Sequence, residues 1–242
     1  MNETLQQLYE RKSTRAFDDR ELTPEQIHTI LEASTMAPTA GNQQLYTILH
    51  VTDEGLRLAL ADTCDHQPFI AKGKLVLVYL ADCLKWYEAF QVSGCEPRTP
   101  GPGDLLLAID DALIAAQNAV VAAESMGIGS CYIGDVMENC ESVRQLLKLP
   151  EYVFPAALLV FGFPAPSVRN QKKPERADLR YIVHENTYHH MNAGELKAML
   201  EKNCPDSEYT EWIRAFCRRK YNSAFSREMS RSAAAYLEQF QR

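Results

Sequence analysis

A chain of 242 residues can form one large domain or two small ones, and 46% hydrophobic with 24% charged residues is the balance of an ordinary globular protein. A formal net charge of -7 argues against a nucleic-acid partner, which rewards a broad basic face. No apolar run is expected to reach the roughly 18–20 residues that cross a bilayer, and MNETLQQLYERK lacks the apolar segment of a secretory signal; the expectation is a cytoplasmic protein without a membrane partner. Cys64, Cys83, Cys95, Cys131, Cys140, Cys204 and Cys217 form no CxxC pair, and their odd number and wide spread predict reduced thiols rather than a disulfide framework.

In chain order, a first helix is expected over about 2–11, with Leu5 and Leu8 facing inward. Thr23 as N-cap, Pro24 at N1 and Gln26 at N3 spell a capping box, and Ile27, Ile30 and Leu31 carry a second helix to about Met36. Pro38 and Gly41 end it. YTILHVT (46–52) reads as a strand, 54–63 as a short helix, and KLVLVYLAD (74–82) as a strand buried on both faces. SGCEPRTPGPG (93–103) reads as a loop. From Asp104 as N-cap, a helix over 105–126 runs to Gly127 and is apolar round much of its circumference. Such a helix must be buried, at the centre of a domain or across a subunit interface. SCYIG (130–134) follows as a short strand or turn, 139–148 as a helix, and PAALLVFGFP (155–164) as a third buried strand. Residues 165–185 read as a loop and 193–242 as helical, with a basic segment at Arg218, Arg219 and Lys220. Buried strands alternating with helices indicate α/β or α+β, with a helical C-terminal extension.

Several chemistries fail on spacing. The glycines of GIGSCYIG fall at 127, 129 and 134, and GPGDLL lacks a third glycine, so neither makes a G-x-G-x-x-G turn. No Walker A lysine and no G-x-S-x-G elbow is present. His184 and His189 are five apart, which on a helix separates them by about 140°, off any shared face.

Four stretches remain. In RKSTR, Arg11, Ser13 and Arg15 alternate in a segment where two forked guanidinium groups and a hydroxyl suit phosphate oxygens, although short basic clusters are commonly just solvated. MAPTAGNQQLY (36–46) is a loop of small residues with Asn42 and Gln44 free to hydrogen-bond a planar ligand. AAESMGIGSCYIGD (122–135) passes through a glycine turn into a short strand whose N–H groups could face a heteroaromatic edge. QKKPERADLRYIVHEN (171–186) carries Lys173 and Arg176.

In this order and at these distances, the stretches resemble the FMN-dependent nitroreductase family over about residues 2–188. RKSTRAF, DHQPFIAK, AAESMGIGSCYIGDVMENCESVRQLLKLP and VHENTY are most similar to its oxygen-insensitive, NADPH-dependent nitroreductase and flavin reductase branch. The resemblance implies an α+β (mixed α/β) fold with a central, mostly antiparallel sheet flanked by helices. It implies a core domain over 1–190 and a helical extension over 191–242, packed on the core or on a partner subunit.

By the same resemblance, Arg11, Lys12, Ser13, Thr14 and Arg15 would hold the FMN phosphate and ribityl chain. Gln67, Pro68 and Phe69 would lie against the pyrimidine edge. Tyr132, Ile133, Gly134 and Asp135 would stand near the reactive edge, and Arg176 with Lys173 would close over the phosphate. Thr39 to Asn42 would come from the other subunit, making the active unit a homodimer with the 105–126 helix at its interface. Arg218, Arg219 and Lys220 are candidates for the NADPH 2′-phosphate. Two departures stand out: NQQLY replaces the family's NxQPW, and KKPER inserts Glu175 before Arg176. The implied activity is two-electron transfer from NADPH or NADH through FMN to nitroaromatics, quinones or free flavin, ping-pong, with no protein general base and no metal. A non-catalytic flavin-binding storage or sensing protein, or a specialised branch such as a dehalogenase, stays open.

Overall fold

The computed structural model describes residues 1–169, 171–204 and 208–241. By its internal contacts the chain divides into two compact units, residues 1–171 with 228–242 and residues 172–227. The boundary expected at 190 falls within the second. The helical stretch expected over 193–242 includes residues 205–207 and 242, which lie outside the described residues.

The first unit is built on one four-stranded sheet in the order β1-β2-β4-β3, with β1 Tyr46–His50, β2 Leu75–Asp82, β3 Gly129–Ile133 and β4 Val153–Gly162. Every pairing is antiparallel. The central strands β2 and β4 are buried at every position, as their unbroken apolar runs require. Pro155 sits in a central strand because the register slips beside it: Tyr79 faces Ala157 and Leu80 faces Pro155.

Helix α1 (Glu3–Glu10) precedes α2 (Pro24–Thr35), which starts on the expected capping box: Thr23 Oγ1 accepts from the Gln26 N–H, and Gln26 Oε1 from the Thr23 N–H. Helix α3 covers Glu54–Thr63. Helix α4 (Leu84–Val92), missed in the sequence, precedes the long helix α5 (Pro102–Ser125). Asp104 is not the N-cap of α5, as expected, but stands at N3. Its carboxylate accepts the Gly101 N–H at 2.7 Å and pairs with both terminal nitrogens of Arg98, so the helix starts at Pro102. Helix α6 is Cys140–Leu147 and α7 the short Pro166–Arg169.

Helix α5 touches all four strands through a stripe of small side chains, Ala108, Ala112, Ala115, Ala116, Ala119 and Ala123, all fully buried. Its opposite face leaves Leu106, Leu107, Leu113 and Ile114 exposed in the single chain. One expectation needs correcting here: α5, at 24 residues, is long and apolar enough by length and composition to cross a bilayer. About 44% of its most apolar stretch is buried inside the protein, and a helix at the centre of a core passes the same test. Leu5 and Leu8 also differ from expectation. Both are exposed in the single chain, and α1 buries none of its residues.

The second unit carries a 3-10 turn at Leu179–Tyr181, α8 (Ala193–Glu201) and α9 (Tyr209–Lys220). Asn192 and Glu195 form the capping box of α8, and His189 Nε2 reaches Glu195 at 3.1 Å. His184 and His189 lie edge to face, with ring centroids 5.6 Å apart. Helix α10 (Ala224–Leu237) belongs to the first unit from Glu228 onward, where Tyr236 packs edge to face on Phe154 at 5.0 Å.

Candidate functional site

The RKSTR segment lies along β3, an edge strand of the sheet. Ser13 bridges Ser130 in parallel, and the Thr14 N–H donates to the Ser130 carbonyl at 2.9 Å. An extended chain sends alternate side chains to opposite sides. Thr14 turns into the core, while Ser13 and Arg15 are exposed and Arg11 is half-buried. The segment approaches β3 so closely that a Cβ on Gly129 would stand 2.5 Å from Thr14 Oγ1.

Arg11, Ser13 and Arg15 all act on the Cys131 thiol. Burial pushes that thiol upward, and Arg15, Ser13 and Arg11, in that order, pull it back. The Arg11 guanidinium stands 5.8 Å from the Tyr132 ring centre and donates through Nη2 to Ser130 Oγ at 3.4 Å. Among the described residues its Nε is buried without a partner. A buried guanidinium N–H without an acceptor is costly, and an anion is a group that would satisfy it. Two guanidinium groups and a hydroxyl on one side match phosphate, and these residues fit the phosphate-bearing cofactor that the resemblance implies. Lys12 is occupied elsewhere: its ammonium donates to the carbonyls of Arg169 and Gln171, both at 2.6 Å, tying the segment to the chain beyond α7.

At its far end β3 runs into a 3-10 turn, Gly134–Met137. Ile133 is buried, Gly134 is exposed, and Asp135 is half-buried. The Tyr132 hydroxyl donates to Gln117 Oε1 of α5 at 3.3 Å, and burial pushes it up to about 12 against the pull of Arg11. The turn after α3 lies beside this exit: Asn139 donates to the Thr63 carbonyl at 2.9 Å, and the Cys64 thiol, pushed up to about 12 chiefly by burial, is also raised by Asp135. Asp65 and His66 there are left-handed, and Gln67 Nε2 donates to the Cys64 carbonyl at 2.8 Å, which fixes its side chain. Phe69 packs against the core. Pro68 is exposed and lines a cavity of about 580 Å³ with Arg57, Leu58, His66 and Lys72. Glu138, 7% exposed, has an Oε2 buried without a partner among the described residues. Burial foremost, then Asp135, Asp65 and Glu228, push its carboxyl up to about 7.

Of the four stretches only RKSTR and residues 122–135 thus meet at β3, with the turn after α3 beside its exit. The loop from Thr39 to Asn42 is organised from α5 instead. Asp111, 3% exposed, accepts the Thr39 hydroxyl, the Ala40 N–H at 3.0 Å and the Leu45 N–H at 3.1 Å. The Thr39 hydroxyl also accepts the Gln44 N–H at 2.8 Å, and Asn42 is an exposed, left-handed tip. Lys173 and Arg176 belong to the second unit, Lys173 half-buried and Arg176 exposed. Arg218 and Arg219 are exposed in the last turn of α9, with Arg219 over the Phe216 ring at 5.3 Å. Ser130, Gln117 and Asp111 escaped the sequence reading. Only Asp111 left a signal, a charge in line with the alanine stripe of α5.

A phosphate-type donor set packed on a sheet edge is shared by many unrelated folds, so comparison with known proteins decides the lineage. Residues 8–163 match the model of the Nitroreductase family. The chain is 32% identical to "FMN reductase [NAD(P)H]" of Bacillus subtilis (strain 168), covering 98% of this chain and 92% of that one. It is 34% identical to "Oxygen-insensitive NADPH nitroreductase" of Salmonella typhimurium, covering 78% and 75%. The solved structure of B. megaterium NfrA2 superposes with a TM-score of 0.83 at 26% identity, covering 99% of this chain and 98% of that one. With a matched stretch that spans RKSTR, the 67–69 turn, α5 and β3 together, this chain belongs to the nitroreductase family.

Proposed function

We propose that the chain is an FMN-dependent NAD(P)H oxidoreductase, active as a homodimer, that reduces nitroaromatics, quinones or free flavin. The observation that carries this reading is the alternation of Arg11, Ser13 and Arg15 beside β3, with the Arg11 guanidinium next to Tyr132 and its Nε buried without a partner among the described residues. The names of the two relatives, an FMN reductase and an NADPH nitroreductase, agree with it.

In this reading Arg11 and Arg15 hold the phosphate and Ser13 adds a hydroxyl. Lys12 acts from behind, fixing the chain beyond α7, and Thr14 is the buried peg that seats the segment on β3. Tyr132 to Asp135 and Gln67 to Phe69 flank the ring system from β3 and the α3 turn. Thr39 to Asn42 come from the second subunit, packed through the exposed face of α5. Bound FMN would supply two-electron redox chemistry between the nicotinamide and an acceptor. The protein binds, orients and neutralises developing negative charge. Purification of the protein and addition of NADPH without oxygen tests the reading: a yellow preparation that bleaches, then recovers its colour with a quinone, supports it. A colourless preparation that takes up no FMN refutes it, and a yellow one that NADPH and NADH leave unbleached leads to the storage or sensing alternative.

A further inference from the structure

We infer that Asp111 is the positioning residue of the active site, holding the Thr39–Leu45 loop in the frame of the subunit-interface helix; this rests on the function proposed above. A carboxylate buried among Ala108, Ala112 and Ala115 would be expensive without donors. Asp111 receives three, all from this one loop: Thr39 Oγ1, Ala40 N–H and Leu45 N–H. Two lie at the start of the loop and one at its end, so the carboxylate staples both ends to α5. Between them the backbone is left-handed at Gly41, Asn42 and Gln44, with φ of 58°, 57° and 50°. Unlike Gly41, Asn42 and Gln44 pay for this conformation and persist in it only where the surroundings impose it.

The Gln44 N–H bond to Thr39 and the 2.7 Å bond from Trp86 Nε1 to the Gln43 carbonyl close the rest of the loop, leaving Gly41 and Asn42 as an exposed tip. Asp111 shares α5 with the exposed Leu106, Leu107, Leu113 and Ile114. Anchored there rather than locally, the tip is placed by the same helix that would meet a second copy. Asp111 therefore touches no reacting atom. It sets where the tip of one subunit stands over the cofactor of the other.

The test uses the purified dimer with Asp111→Asn, Thr39→Val and the double variant. Asp111→Asn keeps the volume but replaces one accepting oxygen with an amide donor. Asp111→Asn should raise the FMN dissociation constant, read from quenching of flavin fluorescence on titration into apoprotein, by about tenfold or more. Amide exchange should quicken at residues 40–45 and stay unchanged in β2. Thr39→Val, which deletes one donor at constant shape, should act in the same direction with its melting temperature preserved. The double variant should stay within about twofold of Asp111→Asn, because Thr39 acts through Asp111. FMN affinity within about threefold of wild type while the loop exchanges faster overturns the proposal. So does faster exchange spread through β2 with no change at Thr39→Val, which makes Asp111 a residue of the fold alone. Wild-type protein that takes up no FMN overturns the functional reading and this proposal together.

Discussion

Arg11 stands over the ring of Tyr132, its guanidinium carbon 5.8 Å from the ring centre, and so couples the segment after α1 to the end of strand β3. Arg11 Nε is buried there without a partner among the described residues. Tyr132 screens one side of the cation from water, which strengthens whatever anion meets the other.

Replacement of either cation should weaken cofactor retention. A charge-assisted contact contributes on the order of 1.5–3 kcal/mol, so Arg15→Ala should raise the FMN dissociation constant by about tenfold or more. Arg11→Ala should do at least as much, since it also removes the contact with Tyr132. Equilibrium dialysis with FMN checks both. Unchanged occupancy would return the cluster to surface solvation.

The seat of this segment is equally testable. A methyl group at Gly129 would meet Thr14 Oγ1 at 2.5 Å and Thr14 Cβ at 2.9 Å. Overpacking of this kind costs about 1–3 kcal/mol, so Gly129→Ala should lower the melting temperature and loosen FMN together. Gly103→Ala, in α5, where the added carbon meets no described atom within 4 Å, is the control and should neither lower the melting temperature nor loosen FMN, since Ala is the better helix former.

Glu138 gives a pH dependence of stability. Burial raises its carboxyl from an ordinary 4.5 to about 7, so as pH rises the unfolded chain releases this proton first. The penalty is absent below 4.5, grows between 4.5 and about 7, and is complete above that. Glu138→Gln should therefore stabilise the protein at about pH 8 by on the order of 1–3 kcal/mol and make little difference at about pH 4. Urea unfolding at several pH values measures this. A variant as pH-dependent as wild type would mean that the charge escapes to water.

The exposed face of α5 should carry the dimer. Leu113→Glu with Ile114→Glu places two charges on it, and charge buried in an apolar interface is strongly disfavoured. Sedimentation should show a folded monomer that holds FMN poorly. A variant that remains dimeric would move the interface elsewhere.

Much of the fold was legible because its signals are local. The Thr23-Pro24-Gln26 capping box and the unbroken apolar runs of β2 and β4 need no partner to be read. Helix α4 was not legible: LKWYEAFQV has no sharp cap, and Cys83 at its N-cap offers no side-chain hydrogen bond. Asp104 misled because a carboxylate at N3 caps a helix as well as one at N-cap. At the site, the alternation of Arg11, Ser13 and Arg15 could be read from spacing, but the turning away of Lys12 depends on carbonyls more than 150 residues further along the chain. Asp111, though in line with the alanine stripe of α5, was passed over for the same reason. Beside Asp110 it looks like one of two solvent-facing acids, and only the folded chain brings Thr39, Ala40 and Leu45 to it.

The central claim is that this site holds FMN and passes electrons through it. Anaerobic titration of the purified protein with NADPH and with NADH, followed by a nitroaromatic, a quinone and free flavin, addresses it most directly. The account predicts stoichiometric loss of the visible flavin absorbance and its recovery with at least one acceptor. A protein that binds FMN but is not reduced by either nicotinamide would contradict it.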